Sequence, residues 1–222
     1  MPQRFTPLVN EEYYHIFNRG VAFQPTYLAK RDYEKFLQSI SYYRFNNLPS
    51  RLSKLLLLAK DEREKVLQDL EKRNDKVIEI NAFCLMPNHF HLLLKQVRDG
   101  GISKFMRQLS DSYTRYFNVK YKRVGPVFQG AFKAVHVDTD EQLIHLSRYI
   151  HLNPLVSFVV KEKYFIDYPW SSLKNYLNGN SSMVNTGTVM AHFKSAKEYL
   201  EFIMDQADYS KELEKIKHLT LE

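Results

Sequence analysis

Two histidines separated by one residue lie inside an apolar run of the sequence, CLMPNHFHLLLK, residues 84–95. Because strand side chains alternate between faces, His89 and His91 point to one side and Phe90 points to the other. Neutral imidazoles bind divalent metal ions, and two of them at this spacing can converge on one ion. Most isolated pairs of this kind face solvent or form hydrogen bonds, but imidazoles without partners beside a core would be costly. His89 and His91 are therefore candidate metal ligands.

A second group of chemically active residues lies in HLSRYIHLNP, residues 145–154. On a helix, Tyr149 and Asn153 are four residues apart and share a face. Asn153 could add an oxygen ligand to the metal. Tyr149 could act as a covalent nucleophile once it is activated, since the ordinary pKa of tyrosine is about 10. The alternative is a helix end at which an aromatic ring packs and Asn153 caps the helix before Pro154.

The elements that must position these residues follow from hydrophobic periodicity and from turn-forming residues. The pattern predicts, in order, a strand over 12–19, a helix over 30–47, a helical insert over 51–73, strands over 76–86 and 89–97 joined at Pro87–Asn88, a helix over 101–121, a strand over 127–137, and a helix from about Glu141 that Pro154 ends. This order predicts an α+β fold with a ferredoxin-like antiparallel sheet and helices packed on one of its faces. Residues 1–180 would form this domain, and residues 181–222 a linker and an acidic amphipathic C-terminal helix.

The composition narrows the class of protein. With 222 residues, 44% of them hydrophobic, the chain can bury one good-sized core. The single cysteine, Cys84, excludes an internal disulfide and a cysteine-rich zinc site. We find neither a long apolar span nor a signal peptide, which predicts a reduced, cytoplasmic setting and no membrane partner.

Positive charge is concentrated in the middle of the chain. The net charge is +7, and residues 101–133 hold seven basic side chains against one acid. A solvated helix face could explain part of this excess, but a nucleic acid partner explains it better. The predicted DNA contacts are Arg107, Arg115, Lys120, Lys122, Arg123, Gln129 and Lys133.

Taken together, these motifs resemble the single-tyrosine HUH transposases of the IS200/IS605 type, and in particular their branch of REP-associated tyrosine transposases. NAFCLMPNHFHLLL resembles the metal-binding strand pair of that family, and RYIHLNPL resembles the helix that carries its nucleophilic tyrosine. YYHIFNRG and GPVFQGAFKAVHVD resemble the first strand and a late strand of the branch. The resemblance covers roughly residues 10–180.

The resemblance implies a metal-dependent single-stranded DNA endonuclease and strand transferase, that is, a transposase. Tyr149 would form a 5′-phosphotyrosine intermediate, and His89, His91 and Asn153 would bind Mg²⁺ or Mn²⁺. The expected partner is single-stranded DNA with a hairpin structure. A homodimer that exchanges its tyrosine helices is an open alternative to a monomer. The alternative function is that of a domesticated DNA-hairpin-binding protein without transposition activity.

Overall fold

A four-stranded antiparallel sheet forms the centre of the structure, a computed structural model that describes residues 7–179 and 182–207. Its strands lie in the order β2-β3-β1-β4. They are β1 (Tyr13–Arg19), β2 (Ile78–Met86), β3 (His89–Gln96) and β4 (Lys133–Val137). β2 and β3 form the predicted hairpin, whose turn is Pro87–Asn88. The ferredoxin-like sheet predicted from the sequence is confirmed.

Helices occupy both faces of this sheet. They are α1 (Lys30–Tyr43), α2 (Leu52–Leu55), α3 (Lys60–Arg73), α4 (Gly101–Tyr121), α5 (Asp140–Val156), α6 (Leu173–Asn178), α7 (Gly187–Met190) and α8 (Ala196–Met204). Within the described ranges, no helix is long and apolar enough to cross a membrane.

The prediction that helices cover only one face of the sheet is wrong. α1 and α4 pack on the face that carries Phe90, whose ring centroid lies 5.2 Å from that of Phe36 in α1. α5 packs on the opposite face, against β2 and β3. The reason lies in β2, IEINAFCLM, where apolar residues do not alternate with polar ones and nearly every side chain is buried. A strand buried on both sides needs a cover on both sides.

The predicted insert forms two helices, α2 and α3. α3 is a surface helix whose only buried residue is Leu70. The buried guanidinium of Arg44 joins this helix to the body of the protein, because it contacts Glu71 of α3 and donates to the Ser182 carbonyl oxygen at 2.6 Å. The insert is therefore fixed to the domain by a partly buried ion pair as well as by apolar contacts.

The described residues beyond position 180 pack on the domain. Val184 pairs with Ile80 of β2, and Tyr199 and Ile203 of α8 are fully buried. Residue 180 of the predicted domain and residues 181 and 208–222 of the predicted linker and tail lie outside the described residues. The domain boundary near residue 180 stays a prediction.

α5 extends further than the sequence predicts. Thr139 caps its first turn by accepting a hydrogen bond from the Gln142 amide at 3.1 Å. The expected end at Pro154 is wrong, because the helix continues to Val156 with Pro154 in its last turn. The Ser157 amide still donates to the Asn153 carbonyl oxygen at 3.0 Å, so the proline removes one hydrogen bond without ending the helix.

A buried carboxylate, that of Asp32, joins α1 to α4. It accepts hydrogen bonds from the amides of Leu28 and Ala29 at 2.9 and 2.8 Å. From α4 it accepts the hydroxyl of Tyr121 at 2.7 Å, the hydroxyl of Tyr116 at 3.0 Å and the ammonium of Lys120 at 2.5 Å. Burial alone would raise the pKa of Asp32, but these donors outweigh it and the pKa is lowered.

Candidate active site

β3 places His89 and His91 side by side on one face of the sheet. Their ring centroids are 5.0 Å apart, and the rings are nearly perpendicular. Phe90, between them in sequence, points into the core on the other face. This is the arrangement that strand alternation predicts.

A third imidazole, that of His15 in β1, completes this face of the sheet. Its Nε2 lies 2.9 Å from Nδ1 of His91. Burial lowers the pKa of His15 to about 4. Burial also lowers the pKa of His91 well below its usual value, and the charges of neighbouring groups, Arg19 among them, act in the same direction. Both rings are therefore neutral near pH 7, which is the form in which imidazole binds metals.

The side chain of Asn88 sets the orientation of His89. Asn88 donates through Nδ2 to the Phe23 carbonyl oxygen at 3.1 Å, so that its Oδ1 faces Nδ1 of His89 at 2.7 Å. Because this oxygen can only accept, Nδ1 of His89 carries a proton, and in the neutral ring the lone pair is on Nε2. Nε2 lies 3.4 Å from Oδ1 of Asn153. When the His89 ring is neutral, both of these atoms are acceptors, and their separation suits a cation between them.

Tyr149 lies on α5 directly above the histidines of its own chain. Its ring centroid is 5.3 Å from that of His91 and 6.0 Å from that of His15, and both contacts are edge-on. The side chain is 50% exposed, so a ligand can reach it. Asn153, one turn later on the same helix, reaches His89. The structure thus brings together all four residues that were predicted as nucleophile and metal ligands.

The fully buried His151 of α5 connects this helix to the rest of the domain. Nδ1 of His151 forms a hydrogen bond with the Tyr199 hydroxyl at 2.7 Å, and Nε2 forms one with Oγ of Ser172 at 2.8 Å. Ser172 in turn accepts the Phe83 amide of β2 at 2.8 Å. These bonds tie α5 to α8 and to the sheet, and so they fix the position of Tyr149.

Two of the predicted DNA contacts lie beside these histidines. Lys133 pairs with Phe17 across β4 and β1, and its ammonium is 5.9 Å from the centre of the Phe17 ring. The backbone N–H of Gln129 donates to the Arg19 carbonyl oxygen at 2.8 Å. Arg19 is exposed and is the cross-strand partner of His89. Neither Arg19 nor His15 was singled out from the sequence.

The other five predicted contacts lie elsewhere. Arg107, Arg115 and Lys120 belong to α4, and Lys122 and Arg123 follow its end, across the sheet from Tyr149. The ammonium of Lys120 has an internal partner, Asp32. Arg115 lines one cavity together with Val127, Phe128 and Gly130, the sequence neighbours of Gln129. The DNA-binding role of all seven residues stays a prediction.

The donor set of a metal site here would be two imidazoles and one amide oxygen. In the part of the chain that the structure describes, no three His, Cys, Asp or Glu residues are grouped to hold a metal ion. Nε2 of His89 and Oδ1 of Asn153 nevertheless face each other, and His91 lies beside them in its neutral form. This set of nitrogen and oxygen ligands fits a divalent cation that takes its remaining ligands from water or phosphate.

Comparisons with known proteins agree with the predicted resemblance. A family model described as "Transposase IS200 like" matches residues 53–153, a range that includes His89, His91, Tyr149 and Asn153. The match confirms the resemblance and supports a transposase function. No curated protein matches the chain at a significant level.

One solved structure supports the fold. This structure, described as "Structure of the REP associates tyrosine transposase bound to a REP hairpin", is 16% identical with a TM-score of 0.55, and the match covers 83% of this chain and 92% of that one. This likeness confirms the fold. A second solved structure, of a putative transposase from Deinococcus radiodurans R1, is 17% identical, and the match covers 67% of this chain and 95% of that one. Its TM-score is only 0.29.

Proposed function

We propose that this chain, similar to IS200-like transposases, is a metal-dependent single-stranded DNA endonuclease and strand transferase that uses Tyr149 as its nucleophile. One observation carries the proposal: the half-exposed Tyr149 ring lies 5.3 Å from the ring of His91, within a single chain. The same helix supplies Asn153 to His89. A phenol held beside a neutral metal-binding face suits phosphoryl transfer.

The proposed reaction has Tyr149 as its attacking group. The phenol oxygen forms a bond to the scissile phosphorus, the bond from phosphorus to the 3′-oxygen breaks, and the phenol proton ends on that oxygen. The products are a 5′-phosphotyrosine and a free 3′-OH. Because one phosphoester replaces another, the 3′-OH of a second end can reverse the step and join the strands without ATP.

The metal would be held by His89, His91 and Asn153. When bound there, Mg²⁺ or Mn²⁺ supplies Lewis-acid polarisation of the scissile phosphate. The neighbouring residues orient the ligands: Asn88 accepts the Nδ1 proton of His89, and His15 is placed to accept that of His91. Such outer hydrogen bonds fix the tautomer and the orientation of a ligating histidine.

We propose hairpin-bearing single-stranded DNA as the substrate. The net charge of +7 and the exposed Arg19 and Lys133 beside the histidines support a polyanion. The similar solved structure is of a protein bound to a REP hairpin. Tyr149 lies against the histidines of its own chain, which supports a reaction within one subunit.

A denaturing gel tests this proposal. The protein is incubated with Mn²⁺ and a labelled pool of single-stranded DNA hairpins, and we expect a covalent protein–DNA adduct. Tyr149→Phe should remove the adduct while leaving DNA binding unchanged. Tyr164→Phe is the matched control, since Tyr164 is 54% exposed against 50% for Tyr149, and it should keep the adduct.

Two outcomes would contradict the proposal in different ways. An adduct that persists in Tyr149→Phe would mean that another tyrosine is the nucleophile. If the wild-type protein binds hairpins but forms no adduct, the alternative function predicted from the sequence holds, that of a DNA-hairpin-binding protein without transposition activity.

A further inference from the structure

The loop that follows β1 is strained. Ala22 and Phe23 both have left-handed backbones, with φ angles of 51° and 60°. The loop folds back so tightly that a Cβ at Gly20 would lie 2.1 Å from the Gln24 carbonyl oxygen, so only glycine fits there. Left-handed conformations at residues other than glycine persist only where the surroundings impose them, and they cluster at functional sites.

Asn88 imposes this conformation. Its carbonyl oxygen accepts the Gly20 amide at 2.7 Å, and its side-chain Nδ2 donates to the Phe23 carbonyl oxygen at 3.1 Å. The same side chain accepts from His89 through Oδ1. One asparagine therefore fixes both the loop and a proposed metal ligand, and the position of Phe23 is set relative to that ligand.

The strained loop exposes an aromatic ring instead of burying it. Phe23 is 62% exposed, and the guanidinium carbon of Arg19 lies 4.9 Å from its ring centroid. Arg19 is itself the cross-strand neighbour of His89. An exposed apolar ring stabilises the fold little, so packing does not explain why the backbone strain is kept. A flat ring next to a cation fits a ligand that has both a flat face and a negative charge.

We propose that Phe23 and Arg19 form a nucleotide subsite next to the scissile position. Phe23 stacks on an unpaired base, and Arg19 binds a phosphate of the same strand. The subsite accepts any base, because every base has a face that can stack. This inference rests on the proposed function, since its ligand is the strand presented to Tyr149, and it adds to that function the residues that hold the strand flanking the cleavage point.

Fluorescence anisotropy with the full chain tests the subsite. The probe is a labelled DNA hairpin with a single-stranded oligothymidine flank. Phe23→Ala should weaken its binding by about tenfold or more, the usual loss when one stacking aromatic is removed. Phe23→Trp should keep the wild-type affinity. Phe158→Ala should too, and it is the matched control because Phe158 is 54% exposed and also left-handed, with a φ angle of 55°.

Salt dependence separates stacking from charge. In a plot of log affinity against log salt concentration, Phe23→Ala should keep the wild-type slope, because the ring neutralises no phosphate. Arg19→Gln should reduce the slope by about 0.7, the value for one phosphate contact on a single strand. General damage to the fold would not leave the slope unchanged in Phe23→Ala and reduce it in Arg19→Gln.

Cross-linking locates the base. Thymidines of the flank are replaced one at a time by 5-iododeoxyuridine, and after irradiation we expect one position to cross-link to Phe23. Two results would overturn the subsite alone, provided that the wild-type protein binds the probe and forms the adduct. One is an affinity of Phe23→Ala equal to that of the wild type, and the other is a cross-link to a residue other than Phe23. Equal losses in Phe23→Ala and Phe158→Ala would also overturn it. A wild-type chain that does not bind the probe would overturn both this inference and the proposed function.

Discussion

Replacing Asp32 with asparagine should cost the fold several kcal/mol. The carboxylate is fully buried and accepts three hydrogen bonds from α4 and two from backbone amides. An asparagine turns its NH₂ group either towards the Lys120 ammonium or towards the two amides, so donors face donors in either orientation. Hydrogen bonds to a charged group contribute about 1.5–3 kcal/mol each, and breaking a buried ion pair costs about 3–5 kcal/mol. We expect a loss of about 3–5 kcal/mol.

Urea unfolding at several pH values would measure this loss. Because the pKa of Asp32 is lower in the folded protein than its ordinary value of 3.8, the carboxylate stabilises the fold above that pH. This contribution is lost as the pH falls through the lowered pKa. The difference in unfolding free energy between wild type and Asp32→Asn should therefore be constant from pH 5 to pH 8 and shrink below about pH 4.

Two results would refute this reasoning. A difference below about 1 kcal/mol at pH 7 would mean that the Asp32 hydrogen bonds merely replace equal bonds to water. A difference that grows on acidification would mean that the protonated carboxyl is the stabilising form, which contradicts the direction of the pKa shift.

Three further predictions concern α5, the DNA and the metal. Tyr199→Phe removes the hydroxyl that links α5 to α8, and urea unfolding should show a loss of about 2 kcal/mol, against less than about 0.5 kcal/mol for the exposed Tyr164→Phe. Lys122→Glu should weaken hairpin binding, measured by anisotropy, and make the affinity less dependent on salt concentration. A wild-type affinity that does not change with salt concentration would contradict the proposed binding of DNA. His15→Phe keeps an aromatic ring but removes the hydrogen-bond partner of His91, a proposed metal ligand. Calorimetry should therefore show about 10–100-fold weaker Mn²⁺ binding, and the DNA affinity should not change. A Mn²⁺ affinity equal to that of the wild type would contradict the proposed role of His15.

The sequence predicts those parts of the candidate site that depend on local geometry. Strand alternation suffices to place His89 and His91 on one face, and helical spacing suffices to align Tyr149 with Asn153. The contact between the two pairs follows from the resemblance to a family, because no local rule states which face of the sheet α5 covers.

His15 and Arg19 depend on the order of the strands, which the sequence does not state directly. His15 is 76 residues from His91 in sequence, and only the pairing of β1 with β3 brings them together. A signal was present, since alternation in YYHIFNR places both residues on one face of the strand. The ion pair of Lys120 with Asp32, 88 residues away, is missed because it depends on how α1 packs against α4.

The anchoring of α5 by His151 has a consequence for the order in which the protein matures during synthesis. The partners of His151 are Ser172 and Tyr199, which follow it by 21 and 48 residues. A chain still growing on the ribosome has made all four proposed active-site residues by position 153, but it does not yet have Tyr199, which holds α5, the helix of Tyr149 and Asn153. Until α8 has emerged, α5 is held by its packing on the sheet and by Ser172, so we expect the position of Tyr149 to become fully fixed only after that point.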